Sequence, residues 1–129
     1  MRVLALDFGA ARTGVAVSDA TGTIAQPLDV IERAASRDGL AKIAEVVREH
    51  DVGCVVVGLP LTLGGRRGSQ ALETEAFVRE LRQALDVPVE TYDERFTTTL
   101  ASKGAGTAPE DARAAAHLLE SYLARTGTR

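Results

Sequence analysis

The stretch VLALDFGAARTGVAVS, residues 3–18, decides the fold of this chain. It opens with an apolar run that ends at Asp7, and after a short polar loop residues 14–18 form a second apolar, β-branched run. Two such runs joined by a short loop predict an antiparallel hairpin. A third, less regular strand is expected over residues 23–31, and Pro27 favours the edge of the sheet for it, because proline cannot donate to a strand ladder.

Helices and strands alternate in the middle of the chain. Ser36 can cap a helix that ends near His50. Residues 52–59 are a continuous apolar run, which is typical of a strand buried on both faces of a sheet. Ser69 is the predicted cap of a second amphipathic helix, and residues 87–92 form the next strand. This strand, helix and strand make a βαβ unit, so its two strands should be parallel.

A final helix is predicted near the end of the chain. Thr107 and Glu110 have the spacing of a capping box. We therefore predict an α/β domain over residues 1–129, with a five-stranded mixed sheet made of a three-strand antiparallel meander and the parallel βαβ strands, flanked by helices. The apolar face of the final helix consists of Ala114, Ala115, Leu118, Leu119 and Tyr122.

Composition limits the classes of function. At 129 residues and 45% hydrophobic content, the chain has room for one sizeable core and no second lobe. A net charge of −3 argues against a protein that coats nucleic acid through its overall field. The only cysteine, Cys54, lies in an apolar run and is expected to be a reduced, buried thiol of a cytoplasmic protein. No apolar stretch approaches the ~20 residues that span a bilayer, so we expect no membrane partner.

Acidic residues follow two strands that should end at the same edge of the sheet. Asp7 comes directly after the first strand, and Asp93 and Glu94 come after the last. In open α/β sheets this edge is where ligands bind. Two structural alternatives stay open: a turn that Asp7 initiates, which fits equally well, and a structural salt bridge between Arg95 and one of the acids. Asp93 and Glu94 should not both point into one site, because neighbours in a strand face opposite ways.

Asp111 is the most informative acid, because its spacing puts it on the apolar face of the final helix. The helix dipole alone could explain a carboxylate in the first turn. However, a carboxylate on the face aimed at the sheet is desolvated unless a cation or a donor meets it. A metal ion shared with Asp7 would supply that cation.

Three converging carboxylates repel one another and are normally found with raised pKa values or holding hard cations. Mg²⁺ and Mn²⁺ prefer oxygen ligands and can activate water for phosphodiester hydrolysis. The candidate ligands are Asp7, Asp93, Glu94 and Asp111. The sequence offers no better catalytic set, because neither histidine has a companion at zinc-ligand spacing and no nucleophile elbow or P-loop is present.

Basic residues lie in or beside the loops expected at the acidic edge. They could neutralise phosphates that flank a scissile bond. Arg66 and Arg67, which stand between glycines, may equally be a solvated turn. Aromatic residues are few, so base stacking is not expected to be the main mode of recognition. The candidate nucleic-acid contacts are Arg12, Arg66, Arg67, Arg95 and Lys103.

Four segments in order resemble the YqgF/RuvX family of Holliday junction resolvases, also described as pre-16S ribosomal RNA nucleases. They cover nearly the whole chain, and four in this order are hard to obtain by chance. The opening motif is DFGAARTGVAVSD at 7–19, and the central strand is VVVGLPL at 55–61. DERFTT at 93–98 resembles the most distinctive stretch, and DARAAAHLLESYL at 111–123 the closing helix.

The resemblance implies a ribonuclease H-like fold and a metal-dependent nuclease. It implies that Asp7 and Asp111 are catalytic acids, and that the third comes from the DER motif, where we favour Glu94 over Asp93. One departure stands out: many relatives have an acidic residue at the position of Gly64. If that acid helps to bind metal in relatives, this chain binds the metal less well.

Two substrates remain open within this class. A branched DNA junction favours a symmetric homodimer, because two matched cuts need two sites in fixed relation, whereas precursor 16S rRNA requires none. Two rival functions also remain. One is a nucleic-acid-binding protein that keeps the fold without chemistry. The other is a nucleotide-binding phosphotransfer protein of the sugar kinase and actin type, which shares the Asp-x-Gly turn but uses a second lobe to close over its nucleotide.

Overall fold

Five strands form one mixed sheet in the order β3-β2-β1-β4-β5 in a computed structural model that describes residues 1–62, 64–97 and 109–126. A short 3-10 helix, Glu94–Phe96, follows the last strand. The predicted fold class is confirmed. The strands are β1 Arg2–Asp7, β2 Arg12–Ser18, β3 Ala25–Glu32, β4 Val52–Leu59 and β5 Val89–Asp93, and the helices are α1 Arg37–Glu49, α2 Ser69–Ala84 and α3 Glu110–Thr126.

The first three strands form the predicted antiparallel meander. β1 pairs with β2, with Asp7 opposite Gly14, and β2 pairs with β3. Pro27 lies on the edge strand, as predicted, beside an irregularity in the ladder. Arg12 was expected in the loop but is the first residue of β2, opposite Glu32. Opposite charges that face each other across two strands favour this extension of the ladder.

The other half of the sheet is parallel. β1 pairs with β4 and β4 with β5 in parallel, which confirms the direction predicted for the βαβ unit. The last strand begins at Val89, two residues later than expected, because Pro88 has no N–H and contributes only its carbonyl, which accepts from the N–H of Val55. As a result, β1, β4 and β5 all end at one edge, which we call the rim; Asp7, Leu59 and Asp93 are their last residues.

Helices cover both faces of the sheet. α1 and α2 pack on one face through a cluster that includes Ile43, Phe77 and Leu81, and α3 packs on the other through a small-residue surface centred on Ala115 and Leu119. β4 contributes side chains to both clusters, as its unbroken apolar run predicts. The small side chains of α3 bring its backbone close to the sheet, which positions its first turn at the rim.

Two of the three predicted helix caps can be compared with the structure. Ser36 caps α1 as predicted, since its hydroxyl accepts from the N–H of Gly39. The prediction for Ser69 is wrong. The chain enters α2 one residue earlier, Gly68 is the cap residue, and it has no side chain to offer. Thr107 lies outside the described residues. None of the described helices combines the length and the apolar character needed to cross a membrane.

Candidate active site

Asp7 and Glu94 form a hydrogen-bonded carboxyl pair at the rim. Asp7 is the last residue of β1, and Glu94 is the first residue after β5. Their side chains meet across the end of β4, where Gly58 leaves the necessary space. A Cβ at Gly58 would lie 2.6 Å from Glu94 Oε2. Both acids are half-buried, so water only partly solvates their charge.

Burial and the neighbouring acids change the pKa values of both members of the pair. Burial raises the pKa of Glu94 to about 7, and the negative charge of Asp7 and the hydrogen bond to it add to this rise. Burial also raises the pKa of Asp7, the hydrogen bond that it accepts from Glu94 lowers it, and the charge of Asp111 raises it again. Glu94 is therefore the member of the pair that holds a proton near neutral pH, and through it Glu94 donates a hydrogen bond to Asp7.

Asp111 approaches the pair from the first turn of α3. That turn lies directly on β2: a Cβ at Gly14 would come within 1.8 Å of the Asp111 carbonyl oxygen. Gly14 is also the cross-strand partner of Asp7. A single glycine therefore determines how close the helix comes to the end of β1, and this closeness explains why the charge of Asp111 acts on Asp7.

The Asp111 carboxylate already has a cationic partner. Arg12 Nε donates to Asp111 Oδ2 over 2.8 Å. Within residues 1–62, 64–97 and 109–126, no three acidic, histidine or cysteine side chains converge closely enough to hold one metal ion. Even so, two partly desolvated carboxyl groups with a third beside them are a donor set that suits a hard divalent cation, because a cation would relieve their repulsion.

The Asp93 carboxylate is engaged by an ion pair of its own, with Arg95. Its carboxylate accepts from the Arg95 backbone N–H at 2.9 Å and from Arg95 Nη2 at 2.6 Å. These bonds hold the pKa of Asp93 below its usual value. The strand ends at Asp93, and the 3-10 helix, rather than strand alternation, turns Glu94 toward Asp7.

The predicted basic residues have different surroundings. Arg67 pairs with Glu75 on α2 at 3.2 Å, and Arg66 is exposed with no side-chain hydrogen bond or ion pair to the described residues. Arg95 lies against the loop that holds Gly65 while it binds Asp93. Lys103 lies outside the described residues. Arg12 is thus the predicted basic residue that touches one of the three clustered acids within the described part of the chain.

Gly14 and Gly58 shape the candidate site, and neither was predicted from the sequence as a site position. Both stand inside strands, and both lie where a Cβ would overlap a site residue. A glycine inside a strand often marks a place where another backbone or a ligand comes close. This signal was present in the sequence, but it does not tell which group approaches.

Known proteins resemble this chain over most of its length. A relative from Thermoanaerobacter pseudethanolicus is 39% identical over 80% of this chain and 74% of its own length. A relative from Syntrophomonas wolfei is 36% identical over 95% of this chain and 94% of its own. Both carry the provisional name pre-16S rRNA nuclease.

Solved structures support the fold. The RuvC protein of T. thermophilus in complex with a Holliday junction substrate matches with a TM-score of 0.63 and 22% identity, over 99% of this chain and 97% of that one. The fold is therefore ribonuclease H-like, of the RuvC kind. A family model described as "RuvX: Holliday junction resolvase" matches residues 1–125. Because that match covers nearly the whole sequence, the protein belongs to the RuvX family of nucleases.

Proposed function

We propose that this protein is a metal-dependent nuclease that hydrolyses phosphodiester bonds, with Asp7, Glu94 and Asp111 as its catalytic acids. The observation that supports this most directly is the Asp7–Glu94 pair, beside Asp111, at the carboxyl ends of three parallel strands. Membership of a nuclease family supplies the reaction class. Asp93 is not proposed as a ligand, because Arg95 already satisfies its carboxylate.

Mg²⁺ or Mn²⁺ would be held by these three carboxylates. When bound, such a cation makes an attacking water easier to deprotonate and offsets the charge on the leaving oxygen. Two features of the chain suit the binding of such a cation. Half-burial raises the pKa of Glu94 to about 7, so its proton can leave near neutral pH once positive charge arrives. Gly14 and Gly58 let the three acids approach without obstruction.

Precursor 16S rRNA is the substrate we propose first. Relatives named for that activity are between 35% and 46% identical to this chain. A four-way DNA junction is the second candidate, because the matching family model is described by that activity. Cleavage of a junction on matched strands would need a homodimer, whereas cleavage of the RNA would not. The buried thiol of Cys54 suits a cytoplasmic enzyme that works on either.

The test compares three substrates under one set of conditions. They are an RNA that spans the mature 5′ end of 16S rRNA, a four-way DNA junction, and a linear duplex with the sequence of one junction arm. Each is incubated with Mn²⁺ or Mg²⁺, and each is repeated with chelator. Specific cleavage of the RNA or the junction, lost with chelator and in Asp7→Asn, supports the proposal.

Three results would contradict this proposal. Binding without cleavage in the presence of either metal would favour the rival in which the fold only binds nucleic acid. Cleavage that persists in the Asp7→Asn protein would show that the activity does not come from this site. Hydrolysis of ATP instead of nucleic acid would favour the phosphotransfer rival.

A further inference from the structure

One ion pair joins the rim to the start of β2. Arg12 Nε binds Asp111 Oδ2 at 2.8 Å, although the two residues are 99 positions apart in the sequence. The backbone of Asp111 packs on Gly14, which is the cross-strand partner of Asp7, so this ion pair lies beside the Asp7–Glu94 pair. In the protein alone, the carboxylates of Asp7, Glu94 and Asp111 do not converge closely enough to hold one ion. One oxygen of Asp111 is engaged by a guanidinium instead.

This ion pair is weaker than its neighbour at the rim. The side chains of Arg12 and Asp111 are 61% and 38% exposed, whereas those of Arg95 and Asp93 are 34% and 17% exposed. Asp93 also accepts from the backbone N–H of Arg95, and Asp111 accepts a single bond from Arg12. Exposed ion pairs of this kind contribute little to stability, because water and salt screen both charges. A competing charge can thus displace Arg12, while Asp93 stays bound.

Release of Arg12 should not move Asp111. The backbone of α3 at Asp111 packs against Gly14, two residues after Arg12, so close that no Cβ could fit. This contact holds the start of the helix on β2 whether or not the ion pair is formed. The carboxylate would stay at the rim after it loses its partner.

The guanidinium of Arg12 is also suited to a second anion. It is mostly exposed, and of its nitrogens only Nε bonds to a described residue. A guanidinium binds a phosphate through two parallel hydrogen bonds, and it does so at lower desolvation cost than an ammonium. A nucleic-acid backbone that reaches the rim therefore offers Arg12 a better partner than one carboxylate oxygen.

We propose that Arg12 is a positioning residue that couples nucleic-acid binding to metal binding at the rim. It pairs with Asp111 in the protein alone, and it exchanges that carboxylate for a backbone phosphate when nucleic acid binds. Asp111 then becomes available to a divalent cation. This inference rests on the proposed function, since it assumes that the rim holds a cation and receives a phosphodiester.

Mn²⁺ affinity in the absence of nucleic acid gives the first test. Calorimetry or the electron paramagnetic resonance signal of unbound Mn²⁺ measures it without any cleavage. Arg12→Gln should bind Mn²⁺ about fivefold more tightly than the wild type, because the guanidinium no longer competes with the cation for Asp111. Arg12→Lys, which keeps the charge but not the planar fork, should fall between the two. Circular dichroism checks that each variant is folded.

A matched variant distinguishes the direct Arg12–Asp111 contact from a general loss of positive charge at the rim. Arg95→Gln removes the same charge from the same rim, but its partner is Asp93, so Mn²⁺ affinity should change by less than about twofold. In a background of Asp111→Asn, substitution of Arg12 should have no further effect on Mn²⁺ affinity. Equal tightening in Arg12→Gln and Arg95→Gln would overturn the proposal, because a field effect would explain both.

The second test measures how much nucleic-acid binding increases the affinity for Mn²⁺. A saturating oligonucleotide, checked afterwards for integrity on a denaturing gel, should tighten Mn²⁺ binding more in the wild type than in Arg12→Gln, by about the same fivefold factor. Identical coupling in the two proteins overturns the role of Arg12 and leaves the nuclease proposal intact. Absence of Mn²⁺ binding to the wild type, with or without oligonucleotide, overturns the metal site itself and this inference with it.

Discussion

Asp7 and Asp19 each lie where a strand of the first hairpin ends, but their surroundings are opposite. Asp7 ends β1 at the rim, and Asp19 comes directly after β2 at the other edge of the sheet. The Asp19 carboxylate accepts from the N–H groups of Ile24 and Thr23 and from the hydroxyl of Thr21. Asp7 meets another carboxyl group instead, that of Glu94.

The two pKa shifts express this difference. The hydrogen bonds from Ile24, Thr21 and Thr23 lower the pKa of Asp19 to about 2, whereas burial is the largest cause that raises the pKa of Asp7. A carboxylate whose hydrogen bonds all come from the turn that contains it, as in Asp19, has a structural role. A carboxylate that is desolvated beside other acids costs stability, and such a cost is typical of groups kept for function. The comparison therefore separates a turn-forming aspartate from a functional one on physical grounds.

The largest expected effect is on cleavage. Asp7→Asn should lower the rate by at least about 100-fold, since even residues that only orient metal ligands often cost 10- to 100-fold. Asp19→Asn is the matched control: it makes the same chemical change at the end of the neighbouring strand and should leave cleavage close to that of the wild type. Single-turnover cleavage of the preferred substrate measures both. Similar losses of cleavage in Asp7→Asn and Asp19→Asn would contradict the distinction between a functional and a turn-forming aspartate.

The sequence predicted much of the fold, because local patterns determine it. The unbroken apolar run of β4 indicated a strand covered on both faces, and the βαβ order indicated parallel strands. The boundaries were less accurate. Ser69 was a wrong cap and β5 starts two residues late, because backbone geometry at Gly68 and the missing N–H of Pro88 decided those positions.

The sequence could predict which acids reach the rim, because strand ends and helical spacing determine that. It could not predict how their charges are partnered. Whether Arg95 binds Asp93 or Glu94 depends on a 3-10 turn that no periodicity indicates. The Arg12–Asp111 contact joins residues 99 positions apart, and the apposition of Gly14 and Asp111 depends on how α3 packs on the sheet.

The second effect tests the packing that brings Asp111 to Asp7. Gly14→Ala puts a methyl group 1.8 Å from the Asp111 carbonyl oxygen, so α3 must shift. We expect the free energy of unfolding to fall by about 1–3 kcal/mol. A large part of the cleavage activity should be lost as well. Gly64→Ala is the control, because its Cβ meets no atom of the described residues within 4 Å. Denaturant unfolding compares the two. Equal stability of both variants would show that α3 does not depend on this approach.

The third effect concerns the pH dependence of stability without divalent metal. The pKa of Glu94 is raised from 4.5 to about 7, so its contribution to stability is fully present below 4.5 and is lost as pH rises through 7. Glu94→Gln keeps a donor for Asp7 and cannot ionise. It should therefore match the wild type at about pH 4 and be more stable at about pH 8, as measured by Tm. Parallel Tm curves for the two proteins would contradict this.

The smallest effect has the opposite sign, and it belongs to Asp19. Its pKa is lowered from 3.8 to about 2, so the stability that it contributes is present above 3.8 and is lost as pH falls through 2. Asp19→Asn should therefore have a lower Tm than the wild type at neutral pH, and the difference should vanish toward about pH 2. Because the group is exposed, salt should also reduce the difference. A Tm difference that grows with acidity would mean that the turn does not hold Asp19 as a carboxylate. The contrast with Asp7 would then rest on burial alone.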